Sequence, residues 1–204
     1  MEQTDKGLLM LNGKPMFHYP LEALRQVTES IVISANRNFD RYGEAGYPVV
    51  SDCLDGFQGP LAGMLSVMKF AKQPYLITLP CDMPLVDASM LNRMLDVFGD
   101  HDAEICIAHD GERMHPVVMM LRRDLAGSIE DFLRRGERKL QFWLRGHRTV
   151  LADFSDRSSR LANINDLGQL SALSAALGSG EIGDCRSVCN EGTDGQDVGR
   201  VLFP

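Results

Sequence analysis

Tyr75-Leu76-Ile77-Thr78-Leu79 is a short apolar run with Pro74 before it and Pro80 after it. A run this brief, partly β-branched and closed by proline at both ends, predicts a buried strand rather than a helix. It stops at Pro80-Cys81-Asp82, so a carboxylate stands just past the carboxyl end of a central strand. In open α/β sheets that edge is where ligands bind. Pro80 and Pro84 bracket Asp82 and stiffen its loop, because proline fixes its own φ and restricts the residue before it. An aspartate in a loop is most often a turn residue or a helix cap. Its company in the chain therefore decides the matter.

The segments around this strand alternate. Asn12-Gly13 signals a tight turn, giving a small hairpin or kink. Pro15 suits the first turn of a helix running towards Thr28, and Pro20 requires that helix to start nearby or to kink. Ser30 to Ala35 reads as a buried strand, and Pro48-Val49-Val50 as a short one leading to Ser51-Asp52, a second carboxylate at a strand end. Gly59-Pro60 opens a helix with Leu61, Met64, Leu65 and Met68 on one face. Such a methionine stripe is core filler far more often than a metal box. A further helix is expected over Ala88 to Phe98 and a strand over Ala103 to His109. Asp110-Gly111 then turns the chain back into Met114 to Leu121 as an antiparallel hairpin. Helices around Leu125 to Arg135 and through Trp143, a strand over Thr149 to Phe154 and a helix over Leu167 to Leu177 complete the pattern. The fold class is α/β, a Rossmann-like, mostly parallel sheet with an antiparallel hairpin addition. From residue 178 to 204 the chain is rich in Gly and Asp without a periodic apolar face. One domain over 1–177 and a disordered or loosely attached tail over 178–204 are expected.

Composition narrows the function. The 204 residues, 44% hydrophobic and 24% charged, suffice for one sizeable core. A net charge of −7 argues against a general nucleic-acid or membrane-surface binder, so an anionic substrate must be met by a local cluster of cations. No apolar run approaches the ~20 residues of a membrane helix. The five cysteines match no zinc spacing and indicate reduced thiols in the cytoplasm. Cys185 and Cys189 have no histidine or further cysteine nearby to complete a metal site.

Three residues stand where a nucleotide would need them: Lys6 in an early loop, and Asp52 and Asp82 at strand ends. A carboxylate at a sheet edge can hold Mg²⁺ against substrate phosphates, and a lysine beside it neutralises the charge that builds in phosphoryl or nucleotidyl transfer. Each has a plainer reading, Asp52 as a cap and Lys6 as a solvated charge.

A longer series of motifs adds to this trio. Asp5-Lys6-Gly7-Leu8, Asn12-Gly13-Lys14-Pro15, Ser34-Ala35-Asn36-Arg37-Asn38, Gly59-Pro60-Leu61-Ala62-Gly63-Met64, Pro80-Cys81-Asp82-Met83-Pro84, Gly111-Glu112-Arg113 with His115-Pro116, Asp153-Phe154-Ser155-Asp156 and Asn163-Ile164-Asn165 occur in this order. From Lys6 to about Leu173 the chain closely resembles the molybdenum cofactor guanylyltransferase family. The resemblance implies a nucleotidyltransferase joining GMP from Mg·GTP to the phosphate of molybdopterin, with release of pyrophosphate. By likeness Lys6 contacts the GTP phosphates, Asp52 the nucleotide, and Asp82 both the nucleotide and Mg²⁺. Ser34 and Asn36 lie where the family approaches the guanosine. Arg113, His115, Arg138, Lys139, Asn163 and Asn165 are candidates for the pterin. On local pattern alone, Arg138-Lys139 equally reads as a solvated helix end and His115 as a strand-edge residue. Other cofactor-assembly proteins and acceptor molybdoenzymes are the macromolecular partners implied.

The resemblance also has gaps. Relatives open with a strand and a Gly-rich loop that cradles the triphosphate ahead of the Asp-Lys. Met1 falls where that loop has its own methionine, so a truncated start lacking the first strand and most of the loop is expected. The family's Thr-Pro-Glu after Asn-Ile-Asn is replaced by Asp166-Leu167-Gly168. Two other readings stay open: a cytidylyltransferase for the same pterin, and a catalytically inactive module that binds pterin or assembly proteins.

Overall fold

The computed structural model describes residues 5–54 and 59–179, and the backbone of 198–203. A 3-10 turn, Lys6–Leu8, leads into a two-stranded hairpin of β1 (Met10–Leu11) and β2 (Lys14–Pro15). Asn12 (φ 48°) and Gly13 (φ 76°) both take the left-handed conformation that a two-residue hairpin turn demands. Pro15 closes β2 instead of opening a helix. Helix α1 (His18–Arg25) starts three residues later with Pro20 in its first turn, where a missing N–H costs nothing.

The main sheet follows. Strand β3 (Ile31–Ser34), helix α2 (Phe39–Gly43), β4 (Val49–Val50), α3 (Pro60–Phe70), β5 (Tyr75–Pro80) and α4 (Ala88–Gly99) come in alternation. Then come β6 (Ile105–His109), β7 (Met114–Arg122), α5 (Ala126–Arg134), α6 (Leu140–Leu144), β8 (Thr149–Asp153), α7 (Leu167–Ser179) and β9 (Val198–Phe203). The sheet runs β4-β3-β9-β5-β7-β6-β8. Only β7 is antiparallel to its neighbours, as the hairpin turn at Asp110-Gly111 predicts.

Period-2 burial assigns each strand residue to a face. Ile31, Ile33, Ile77, Leu79, Cys106, Ala108, Val118 and Met120 meet α1, α2 and α4 through Leu21, Leu24, Tyr42, Leu91 and Met94. Val32, Leu76, Ile105, Ile107, Met119 and Leu121 meet α3, α5 and α6 through Leu65, Met68, Ile129, Phe132 and Trp143. Helix α3 is buried at every position from Leu61 to Met68, and its methionines are core, as expected. A third, smaller cluster seats α7 on the hairpin through Leu11, Met16, Ile164, Leu170 and Leu173.

One strand departs from the sequence reading. The expected tail over 178–204 does not hold for its last part: Val198–Phe203 runs as β9 through the middle of the sheet, parallel to both β3 and β5. Those two strands do not pair with each other. Unpaired, their facing N–H and C=O groups would be buried without partners, which is costly. Val198, Val201, Leu202 and Phe203 have the strand-forming character the slot needs. Residues 180–197, Cys185 and Cys189 among them, lie outside the described residues.

Candidate active site

The parallel strands bring their carboxyl ends to one edge. Asn36 follows β3, Asp52 follows β4, Asp82 follows β5, and the β6–β7 turn at Asp110 stands at the same edge.

Asp82 is the hub. Its side chain is 15% exposed, with Oδ2 3.4 Å from Lys6 Nζ. Asn163 Nδ2 donates to Oδ1 at 3.0 Å, and the Ile164 N–H donates to the Asp82 carbonyl at 2.8 Å. Lys6 Nζ also donates to Asn165 Oδ1 at 2.9 Å. Residues from two distant parts of the chain, Lys6 and Asn163, thus close on one carboxylate. Lys6 is 42% exposed, and a half-solvated ion pair is worth about 1 kcal/mol or less. Lys6 can therefore exchange Asp82 for a more strongly charged partner at little cost.

The lysine is placed by its turn. Gly7 sits so close to the body of the protein that a Cβ there would lie 2.5 Å from the Tyr42 hydroxyl and 3.3 Å from Cys81 Sγ. Burial pushes the Cys81 thiol well above its ordinary value, and the neighbouring Asp82 and Asp5 charges add to the effect. A thiol held protonated is no nucleophile and serves as packing.

The two asparagines are placed by an ionic brace. Asp87 caps α4 by accepting from the Met90 N–H at 3.0 Å, and also accepts from Arg160 Nη1 at 2.6 Å. Arg93 forks onto Asp156 at 2.7 and 3.0 Å. Together they bind the 3-10 segment Ser155–Leu161 to α4 and aim the following Asn163–Asn165 back at Asp82.

Asn36 and Asp52 form a reciprocal pair, Asn36 Nδ2 donating to Asp52 Oδ2 and the Asp52 N–H donating to Asn36 Oδ1, both at 2.9 Å. Ser34 lies deeper, 5% exposed at the end of β3.

The remaining candidates are less gathered. His115 is turned into its own hairpin, 5% exposed, with Nε2 2.6 Å from Asp110 Oδ2. Asp110 also accepts from the N–H groups of Glu112 and Arg113, and these contacts, His115 first, hold its carboxyl well below the usual range. Arg113 projects from the same turn, 71% exposed. Arg138 donates to the carbonyls of Leu133 and Glu137, while its own carbonyl lies near Gly59 at the start of α3. Lys139 lies over the Phe142 ring at 5.5 Å. Asn163 and Asn165, grouped with the pterin candidates by sequence, instead meet Asp82 and Lys6.

Sequence reasoning passed over Asp5 and Tyr42. Asp5 accepts from the Tyr42 hydroxyl at 2.6 Å, Asn38 Nδ2 at 2.8 Å and Arg37 Nε at 3.2 Å. The one signal was the place of Asp5 directly before Lys6.

An accessible carboxyl sheet edge with a lysine–aspartate pair suits a nucleoside triphosphate, and comparison with known proteins decides the family. Residues 1–151 match the family model of the MobA-like NTP transferase domain. The chain belongs to this family. Members of the MobA-like NTP transferase family are nucleotidyltransferases, and so is this protein. The molybdenum cofactor guanylyltransferase of Shewanella loihica is 42% identical over 87% of this chain and 90% of its own. That of Shewanella sp. strain MR-4 is 43% identical over the same shares. Among solved structures, molybdopterin-guanine dinucleotide biosynthesis protein A from Archaeoglobus fulgidus superposes with a TM-score of 0.72 at 17% identity, covering 87% of this chain and 92% of that one. A CMP:2-keto-3-deoxy-manno-octonic acid synthetase complexed with CTP gives 0.66 at 15% identity, covering 85% and 92%. Both structural likenesses speak to the fold, which is that of the nucleotidyltransferases.

Proposed function

We propose that this chain transfers GMP from Mg·GTP to the terminal phosphate of molybdopterin, forming the guanine dinucleotide of the cofactor and pyrophosphate. The observation that carries the reading is the closure of Lys6 and Asn163 on Asp82 at the carboxyl edge, with Asn165 holding Lys6, in a chain whose curated relatives are named for this activity.

Lys6 meets the triphosphate, moving from Asp82 to a phosphate oxygen. Asn163 keeps the Asp82 carboxylate in one orientation. Asn36, paired with Asp52, faces the guanosine side, and Ser34 supports the loop from below. Arg113, Arg138 and Lys139 supply cations for the pterin phosphate, while His115 fixes the turn from which Arg113 projects.

The donor set fits a magnesium ion. Mg²⁺ takes oxygen ligands, is commonly bound through one or two carboxylates, and leaves the rest of its shell to water and substrate phosphates. Asp82 offers one such carboxylate, and among the described residues no group of three or more acidic, cysteine or histidine side chains forms a closed cage. When bound, the ion neutralises phosphate charge and polarises the reacting phosphoryl group. The attacking group is a phosphate oxygen, whose second pKa of roughly 6 leaves it ionised at neutral pH. No general base is needed, so the task of these side chains is alignment and charge neutralisation.

The test is to supply molybdopterin and Mg²⁺ with either GTP or CTP, following dinucleotide and pyrophosphate together. Equimolar products from GTP, with CTP far slower, are expected. Preference for CTP would make the chain a cytidylyltransferase. Pterin binding without any pyrophosphate would make it an inactive binding module.

A further inference from the structure

Two groups of side chains make up the candidate site. Lys6, Asp82, Asn163 and Asn165 form one, on the phosphate side. Asn36 and Asp52 form the other, on the base side. Asp5 joins them. It immediately precedes Lys6, and its carboxylate accepts from Arg37 and Asn38, the two residues that immediately follow Asn36. Its other oxygen accepts from the Tyr42 hydroxyl at 2.6 Å.

The carboxylate is 9% exposed, so these bonds are made largely out of water, where hydrogen bonds to a charged group are strongest. The Tyr42 partner is itself held in place. Tyr42 is fully buried, with its ring edge-on to Phe17 at 4.9 Å between centroids. Phe17 in turn donates its N–H to the Gly7 carbonyl at 3.0 Å, which returns the network to the Lys6 turn. Asn38 holds a left-handed backbone (φ 53°, ψ 36°) at the start of α2, a conformation that places its amide and the Arg37 side chain on the same carboxylate. Burial and the Asp5 carboxylate raise the Tyr42 hydroxyl well above its ordinary value, so it remains a donor throughout the working pH range.

We propose that Asp5 and Tyr42 are positioning residues that lock the Lys6 turn to the Asn36 loop, fixing the spacing between the group that meets the triphosphate and the group that faces the base. Neither residue touches the reacting atoms. Their effect on the phosphates of a nucleotide passes through Lys6, and any effect on the base passes through the Asn36 loop. The inference rests on the functional reading above, in that Lys6 must meet the phosphates.

This route to the nucleotide separates the pair from residues that only stabilise the fold. GTP and GMP share the base and differ in the phosphates, so the ratio of their dissociation constants reports Lys6. Binding of each is measured by calorimetry with Mg²⁺ for wild type, Tyr42→Phe, Lys6→Ala and the double variant. Asp5→Asn, which keeps one acceptor oxygen and the size of the side chain, runs beside them, alone and combined with Lys6→Ala, should the buried ring tolerate no change. Lys6→Ala should lower the preference for GTP, and Tyr42→Phe or Asp5→Asn should lower it about tenfold, the size expected for one hydrogen bond to a charged group. In the Lys6→Ala background either change should add nothing, since a shared route leaves no independent effect. If Tyr42→Phe and Asp5→Asn weaken GTP and GMP equally, or add their full effect to Lys6→Ala, the positioning role is overturned while Lys6 keeps its own. If Lys6→Ala leaves the preference unchanged, the assignment of Lys6 falls, and the positioning role falls with it.

Discussion

Strand β9 invites the sharpest perturbation. Val201 sits mid-strand, in register with Val32 of β3 on one side and Thr78 of β5 on the other. Proline at this position removes an N–H from a regular stretch of ladder in the middle of the sheet, unlike Pro116, which stands beside the irregularity in the β6–β7 register, and Pro80, which ends β5. The lost bond costs about 1 kcal/mol net, and the acceptor left buried without a partner adds about 1–3 kcal/mol. Taking about 3 kcal/mol for Val201→Pro, a chain of this size should melt about 6–12 °C lower. Deleting β9 is more severe, since it pairs at three register positions with β3 and six with β5. At about 1 kcal/mol per ladder bond this approaches the whole stability of an ordinary domain, about 5–15 kcal/mol. The assay is thermal unfolding followed by circular dichroism, with and without Mg·GTP. Because β9 lies, among the described strands, between the one that leads to Asn36 and the one that leads to Asp82, Val201→Pro should also weaken GTP binding. A melting temperature within about 1 °C of wild type would refute the placement of β9, because a proline in a regular, doubly paired stretch of strand is not that mild.

Other consequences are quicker to check. Asp110 has its carboxyl pKa lowered by His115 and two backbone N–H groups, so its contribution to stability is present above the ordinary carboxylate range and lost as pH falls below it. Asp110→Asn should therefore be less stable than wild type at neutral pH, with the difference shrinking as both are titrated below about pH 4 in urea melts. A gap that stays constant with pH would contradict that linkage. Cys81 and Cys106 are buried and Cys53 is exposed, and burial pushes the Cys106 thiol up to about 12. Native alkylation mapped by peptide mass should mark Cys53 within minutes and the two buried thiols only in denaturant. Rapid native labelling of Cys81 would mean that the Gly7–Tyr42–Cys81 packing is loose.

What the sequence made legible follows the range of the interactions involved. Strand β5 was readable because its prolines and apolar run are local signals, and Asp82 could be placed because a strand end needs no tertiary information. The β1–β2 hairpin, helix α3 and the antiparallel β6–β7 pair were readable for the same reason. Helix α2 was missed because five residues carry too little periodicity to stand out. Strand β9 was missed because Gly199 and Arg200 interrupt its apolar pattern, and what recruits it is the vacant ladder between β3 and β5, which no local pattern records. The site shows the same limit. Lys6, Asp52 and Asp82 were found singly from their loops. The assembly of Asn163 and Asn165 around them spans 81 and 159 residues of chain, so it emerges only from the fold. Tyr42 carried no signal in the sequence and is core, yet its hydroxyl reaches the turn that holds Lys6.

The most direct test of the account is turnover by Asp82→Asn. The amide keeps the size of the side chain and one oxygen for Asn163, but it removes the charge that Lys6 and a magnesium ion would share. With molybdopterin, Mg²⁺ and saturating GTP, dinucleotide formation should fall about 10³-fold, in line with the loss of a key electrostatic group, while the melting temperature stays near wild type. Turnover within about twofold of wild type would show that Asp82 makes no contact specific to the transition state and that the chemistry takes place elsewhere.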